Sequence, residues 1–291
     1  MVMQCFDAEL EAMLLDRAPF KLSHKLLGHP ALTLENLGAV LPKLPKRQVM
    51  FSNSKLQNGD DFEATFRKRP KEVSIDETIE QIRTSNAYIM VSRPETDDSF
   101  KDLRNALVDD LRGILRSHGL GSEPIDPHLY LFIASPNSIT PFHIDRYSTL
   151  LMQFRGSKTV HVYEQWDDRV VSQVDREAYV AYARTKLPWS AEIDALGHSF
   201  HFSPGETLHI PFIAGHHVRN GPDDVSISMS IIFNTEQSIR WRRALAFNYE
   251  VRKRIGAIPA GLSKVGRSRV LDGTKAAMMR AIERRRTLAE R

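Results

Sequence analysis

A single cysteine, Cys5, stands in 291 residues, so neither an intramolecular disulfide nor a cysteine zinc cluster can be built. No uncharged apolar run approaches the length that a membrane span needs. The opening segment, MVMQCFDAELEAMLLDR, turns acidic within ten residues and lacks the basic-then-apolar layout of a signal peptide. These absences predict a soluble chain working in the cytoplasm. What is present is ordinary globular material: 42% apolar and 26% charged residues exclude wholesale disorder, and the length suits one large domain or two small ones.

The net charge of +4 conceals an asymmetry. From Glu236 to Arg291 there are 15 Lys+Arg against 5 Asp+Glu, a balance of +10, which leaves 25 against 31, or −6, for the first 235 residues. A basic tail can be a nucleic-acid footprint. No aromatics interleave with the charges after Tyr249, as single-strand binding would need, so solvated helix faces are the preferred reading.

The texture of the chain changes twice. Residues 1–127 read as a mixed, mainly helical buttress. Helices are expected at Phe6–Leu15, after a Thr33 cap, from the capping box at Ser74, and over Phe100–Leu115 on an apolar spacing of 100, 103, 107, 111, 114 and 115. Short strands are expected at 48–52 and 87–91. Residues 128–234 hold many short β-rich segments separated by turn signals, which point to a jelly roll, with one helical insertion near 168–185. Residues 235–291 return to helix. Their stripe of Ile239, Trp241, Leu245, Phe247 and Val251 offers an apolar face through which the C-terminal helices could form a homodimer. Asp16 and the pair Asp109-Asp110 read as solvated helix positions.

Chemistry concentrates in Thr140-Pro141-Phe142-His143-Ile144-Asp145. On a strand, positions i and i+2 share a face, so His143 and Asp145 project side by side. An imidazole and a carboxylate so placed begin a 2-His-1-carboxylate facial triad, the arrangement that holds Fe(II) and leaves positions open. His209, His216 and His217, around the run GETLHIPFIAGHHV, are candidates for the third ligand. His216 and His217 would face opposite sides of their strand, so only one of them can join. Lys158, fifteen residues past His143, falls where a returning strand would aim it at the interior. A buried ammonium there is costly unless a carboxylate meets it.

TPFHID, the RGSK turn, GETLHIPFIAGHHV and the closing SISMSIIFN resemble the JmjC and cupin-like Fe(II)/2-oxoglutarate oxygenases. The likeness is to the branch related to the asparaginyl hydroxylase of hypoxia-inducible factor. It is specific over about 128–234 and looser over the N-terminal helices. The resemblance implies a double-stranded β-helix, mainly β with flanking helices: an N-terminal α/β buttress and C-terminal helices. It implies His143, Asp145 and His216 as iron ligands and catalytic centre, Lys158 on the 2-oxoglutarate C5 carboxylate, and Thr140, Thr149 and Tyr130 as further cosubstrate contacts. His217 becomes a bystander and His209 a satisfied buried histidine. The implied reaction consumes O₂ and 2-oxoglutarate and releases succinate and CO₂. The substrate would be a protein, peptide, amino acid or small metabolite, hydroxylated in the process. A non-catalytic ligand-sensing protein on the same barrel is the alternative, with less need of both metal and cosubstrate anchors. Gly215, where the family often has a bulky aromatic, predicts an opened wall beside the distal histidine.

Overall fold

The computed structural model describes residues 3–7, 14–52, 55–67, 82, 84, 87–255 and 262–289. The helices expected at 6–15 and from Ser74 lie largely outside these. Strands β1 (Phe20–Ser23), β2 (Val49–Ser52) and β3 (Tyr88–Ser92), with helices α1 (Leu34–Val40), α2 (Phe62–Arg67) and α3 (Asp98–Ser117), form the N-terminal part. Thr33 caps α1 by accepting from the Asn36 amide at 3.2 Å, as its position predicted. The sequence reading placed no strand at β1 (Phe20–Ser23), which pairs with β9 from far along the chain.

Eight strands follow: β4 (Ile125–Ala134), β5 (Ile139–Ile144), β6 (Ser148–Arg155), β7 (Lys158–Tyr163), β8 (Gly197–Phe202), β9 (Glu206–Ile210), β10 (Gly215–Asn220) and β11 (Ser226–Asn234). Helix α4 (Gln173–Val180) interrupts them, and α5 (Glu236–Ile255) and α6 (Arg269–Ala289) close the chain. The strands form an antiparallel seven-stranded sheet, β1-β9-β6-β11-β4-β3-β2, and a four-stranded sheet, β5-β10-β7-β8. Strands β4 to β11 wind between the two sheets as a jelly roll.

Alternation in β11 decides which face is which. Ile227, Met229, Ile231 and Phe233 join the core under α3, where they meet Leu129, Leu131 and Ile133 of β4 and Leu103, Leu107 and Leu111 of the helix. Ser228, Ser230 and Ile232 take the other face, toward the barrel interior. The helix-side face is thus the greasier one, each buried leucine contributing about 1.5–3 kcal/mol. The interior keeps polar groups, which suits a cavity better than a core.

Helix α5 lies on a second cluster with Phe142, Tyr163, Tyr179 and Phe212. Trp241 and Leu245 are buried there, Trp241 stacking on Phe212 at 6.3 Å. Two members of the stripe read as a dimer face are therefore used within the chain. Part of the basic tail is also paired internally: Arg252 to Glu177 at 2.7 Å and Arg286 to Glu250 at 2.8 Å. No described helix is long and apolar enough to cross a membrane.

Two acidic positions correct the sequence reading. Asp110 and Asp16 are only 1% and 3% exposed. Asp110 accepts from the amides of Gln4, Cys5 and Phe6, fastening the N-terminal segment to α3.

Candidate active site

The site begins with a defect in β5. His143 pairs with His216 of β10 and Thr140 with Val218, so Pro141 and Phe142 together oppose the single residue His217. This β-bulge turns Thr140 and His143, three residues apart, toward the same interior. Pro141, which has no amide proton to give, is tolerated because β5 is an edge strand. Asp145 follows directly on the end of β5.

Three side chains converge. The Nε2 atoms of His143 and His216 stand 3.9 and 3.7 Å from the two oxygens of Asp145, and the imidazole centroids are 4.2 Å apart. Nδ1 of His143 lies 2.7 Å from the Pro141 carbonyl, and Nδ1 of His216 lies 3.0 Å from the Ala214 carbonyl. A carbonyl only accepts, so both Nδ1 atoms carry the proton and both Nε2 lone pairs turn to the carboxylate. Burial, with His143 alongside, pushes the His216 pKa down to about 4, so its imidazole is neutral at physiological pH. This is the donor set and protonation state of a facial triad.

His209 differs in one respect. Its Nδ1 donates to the Thr149 carbonyl at 3.0 Å, and its Nε2 accepts from the Asp16 amide at 3.1 Å. With both nitrogens used it has no lone pair to offer, and it is the satisfied buried histidine that was expected. His217 lies on the opposite face of β10.

The triad opens into a cavity of about 320 Å³, and all seven residues named for the site line it: His143, Asp145, His216, Lys158, Thr140, Thr149 and Tyr130. Thr149 Oγ1 is 3.5 Å from Asp145 Oδ2. The Lys158 amine, 7% exposed, donates to Ser228 Oγ at 2.7 Å and has no carboxylate partner among the described residues. Desolvation alone lowers its pKa to about 7.

Other lining residues went unread. Tyr88 arrives from β3, its hydroxyl accepting from Thr140 at 3.3 Å. Phe62 of α2 lies 4.9 Å from the His143 ring. Spacing within the barrel strands gives no hint of either, because both come from the buttress. Arg146 and Tyr147 also line the cavity. The Arg146 guanidinium sits between the rings of Tyr179 and Tyr182, at 4.1 and 4.0 Å, and holds Glu63 of α2 at 2.8 Å. The expected gap at Gly215 is filled: a Cβ there would come within 2.8 Å of the Phe142 ring.

The model of the cupin-like domain family matches residues 33–239. The chain belongs to the cupin-like domain family. Among solved structures, this cupin-like chain is similar to Escherichia coli YcfD, with a TM-score of 0.53 and 15% identity over 96% of this chain and 68% of that one. A second structure, described as the Escherichia coli ribosomal oxygenase YcfD, gives 0.49 at 15% identity, covering 96% and 68%. A third, YcfD in complex with cobalt and 2-oxoglutarate, gives 0.48 at 17% identity, covering 95% and 67%. At such identity the likeness is one of fold. No curated protein matches the chain.

Proposed function

We propose that this cupin-like chain is an Fe(II)- and 2-oxoglutarate-dependent oxygenase. The observation that carries the reading is the buried, carboxylate-free Lys158 amine in the same cavity as a complete His-Asp-His set. Either alone has a structural explanation. Together they support the reading of a metal centre with an anion receptor beside it, and 2-oxoglutarate has both a chelating end and a distal carboxylate.

The donor set fits the group. His143, Asp145 and His216 would hold iron through two Nε2 lone pairs and one carboxylate, each Nδ1 proton being engaged by a main-chain carbonyl. When bound, iron and 2-oxoglutarate supply the oxidising chemistry, with O₂ consumed and succinate and CO₂ released. The chain supplies orientation and exclusion of water. Lys158 would give the C5 carboxylate a charge-assisted hydrogen bond where there is little water to compete. Ser228 orients that amine. Thr140 would turn its hydroxyl proton from Tyr88 to the same carboxylate, with Tyr88 then donating to Thr140, and Thr149 steadies Asp145. Tyr130 supplies an aromatic wall.

The substrate would reach the metal past Arg146, Tyr147 and Tyr182; protein, peptide, amino acid and small metabolite all suit this reading, with hydroxylation as the outcome. A homodimer through the C-terminal helices is proposed on α6, where Val270, Leu271, Met278 and Leu288 are exposed. Anaerobic titration with Fe(II) and then 2-oxoglutarate tests the main reading: one equivalent of each should bind, the second only after the first. Binding of 2-oxoglutarate unaffected by the absence of metal would refute it.

A further inference from the structure

His217 was assigned no chemistry, yet the fold gives it two partners. On the outer face of the four-stranded sheet it stands directly opposite His161 of β7. Their rings stack at 5.1 Å with 19° between planes. Asp194, from the 3₁₀ helix Ala191–Leu196, leans over both. Its Oδ1 is 3.2 Å from His217 Nε2, and its main-chain oxygen is 2.9 Å from His161 Nε2. One ligand atom from each of the three lies within 4.8 Å of the other two, the only such group beside the triad among the described residues.

The surroundings are those of a held ligand set. His161 Nδ1 is 2.8 Å from Ser199 Oγ, and the Tyr163 hydroxyl donates to Asp194 Oδ1. These partners orient an imidazole and a carboxylate, as metal ligands require, and leave Asp194 Oδ2 without a hydrogen bond to Tyr163 or His217. Gly197 leaves the ring its place: a Cβ there would come within 2.5 Å of His161 Nε2.

We propose that His161, Asp194 and His217 form a second metal site, for a borderline divalent ion of the zinc type. Two imidazoles and one carboxylate suit Zn(II), whereas Ca²⁺ and Mg²⁺ favour all-oxygen sets. Without metal, the Nε2 proton of His161 points at the Asp194 carbonyl. Binding moves that proton to Nδ1, where the Ser199 hydroxyl turns from donor to acceptor, and moves the Nε2 proton that His217 gives to Asp194 Oδ1 onto its own Nδ1, so both Nε2 atoms are freed with no net change in charge. Water completes the coordination. The role is structural: the ion fastens the segment after α4, which carries Tyr182 at the cavity mouth, to the sheet. Adjacent residues of β10 then serve two centres, His216 inward and His217 outward. The inference does not depend on the oxygenase reading.

Zn(II) titration by calorimetry of metal-stripped protein tests it. The wild type should bind two equivalents, Asp145→Ala one, Asp194→Asn one, and the double variant none, with the lost site weakened about 100-fold or more. Zn(II) should raise the melting temperature of Asp145→Ala but not of the double variant. Should Asp194→Asn lose its circular-dichroism signature, His161→Gln reads the same site. A folded Asp145→Ala that binds no Zn(II), or a double variant that keeps an equivalent, would overturn the second site. Asp194→Asn should retain 2-oxoglutarate turnover, which separates failure here from failure of the first reading.

Discussion

Asp16 and Lys158 are both buried charged side chains of the barrel, at 3% and 7% exposure, and they are treated in opposite ways. Asp16 meets donors on both oxygens: Oδ1 accepts from the Ser148 hydroxyl and the Phe212 amide, and Oδ2 from Thr235. Lys158 has one neutral hydroxyl, Ser228, and a cavity. The first pattern ties β6, the turn after β9 and the start of α5 into one framework, since three hydrogen bonds to a buried carboxylate offset much of the cost of taking it out of water. The second is stable only at a cost, and the cost falls when a carboxylate arrives. The histidines repeat the contrast. His209 uses both nitrogens internally, while His143 and His216 each keep one free.

The sharpest way to break this comparison is at the triad. Asp145→Ala should abolish Fe(II) binding and cosubstrate turnover while circular dichroism and melting change little; unchanged Fe(II) affinity would remove the residue from the site. Asp16→Ala should do the reverse, destabilising the fold by about 3 kcal/mol in urea by leaving three buried donors without an acceptor. Lys158→Ala should weaken 2-oxoglutarate binding by about 2–3 kcal/mol, roughly 30- to 150-fold, with Fe(II) affinity preserved. Wild-type affinity would mean the amine never meets the cosubstrate.

A pH experiment sharpens it further. With a free-state pKa lowered to about 7, Lys158 is mostly neutral at pH 8. A carboxylate beside it raises that pKa, so binding at pH 8 should take up close to one proton, and affinity should fall as pH rises above 7. Calorimetry in buffers of different ionisation heat measures the uptake, which should vanish in Lys158→Ala. The smallest effect concerns assembly. Light scattering should give a dimeric mass that Met278→Glu on α6 reduces to a monomer; a monomeric wild type would refute the dimer.

Much of this was legible beforehand because strands carry their chemistry at fixed parity. The HxD pair and Lys158 at the start of β7 report interior positions through period two. The jelly roll announced itself by short strands and turn signals. What escaped depends on long-range closure. Tyr88, Phe62 and Glu63 reach the site from the buttress, and no spacing within the barrel points to them. His161 and Asp194 become neighbours of His217 only once β7, β10 and the loop before β8 are assembled. Asp110 is different, because its signal was present: it lies three residues beyond Leu107 and seven beyond Leu103, on the buried stripe of α3. A polar residue on an apolar stripe deserved a search for donors, and the amides of residues 4–6 are those donors. Asp16 carried no such signal, since it falls just past the end of the helix expected at Phe6–Leu15.

The central claim is that the triad and Lys158 are one site serving one cosubstrate. Its most direct test is succinate formed from 2-oxoglutarate when O₂ is admitted to the Fe(II)-loaded protein, even without a prime substrate. The account predicts slow, iron-dependent succinate release that Asp145→Ala abolishes and that Lys158→Ala restores only at far higher 2-oxoglutarate. Succinate formation absent from the wild type, or equal in all three proteins, would contradict it.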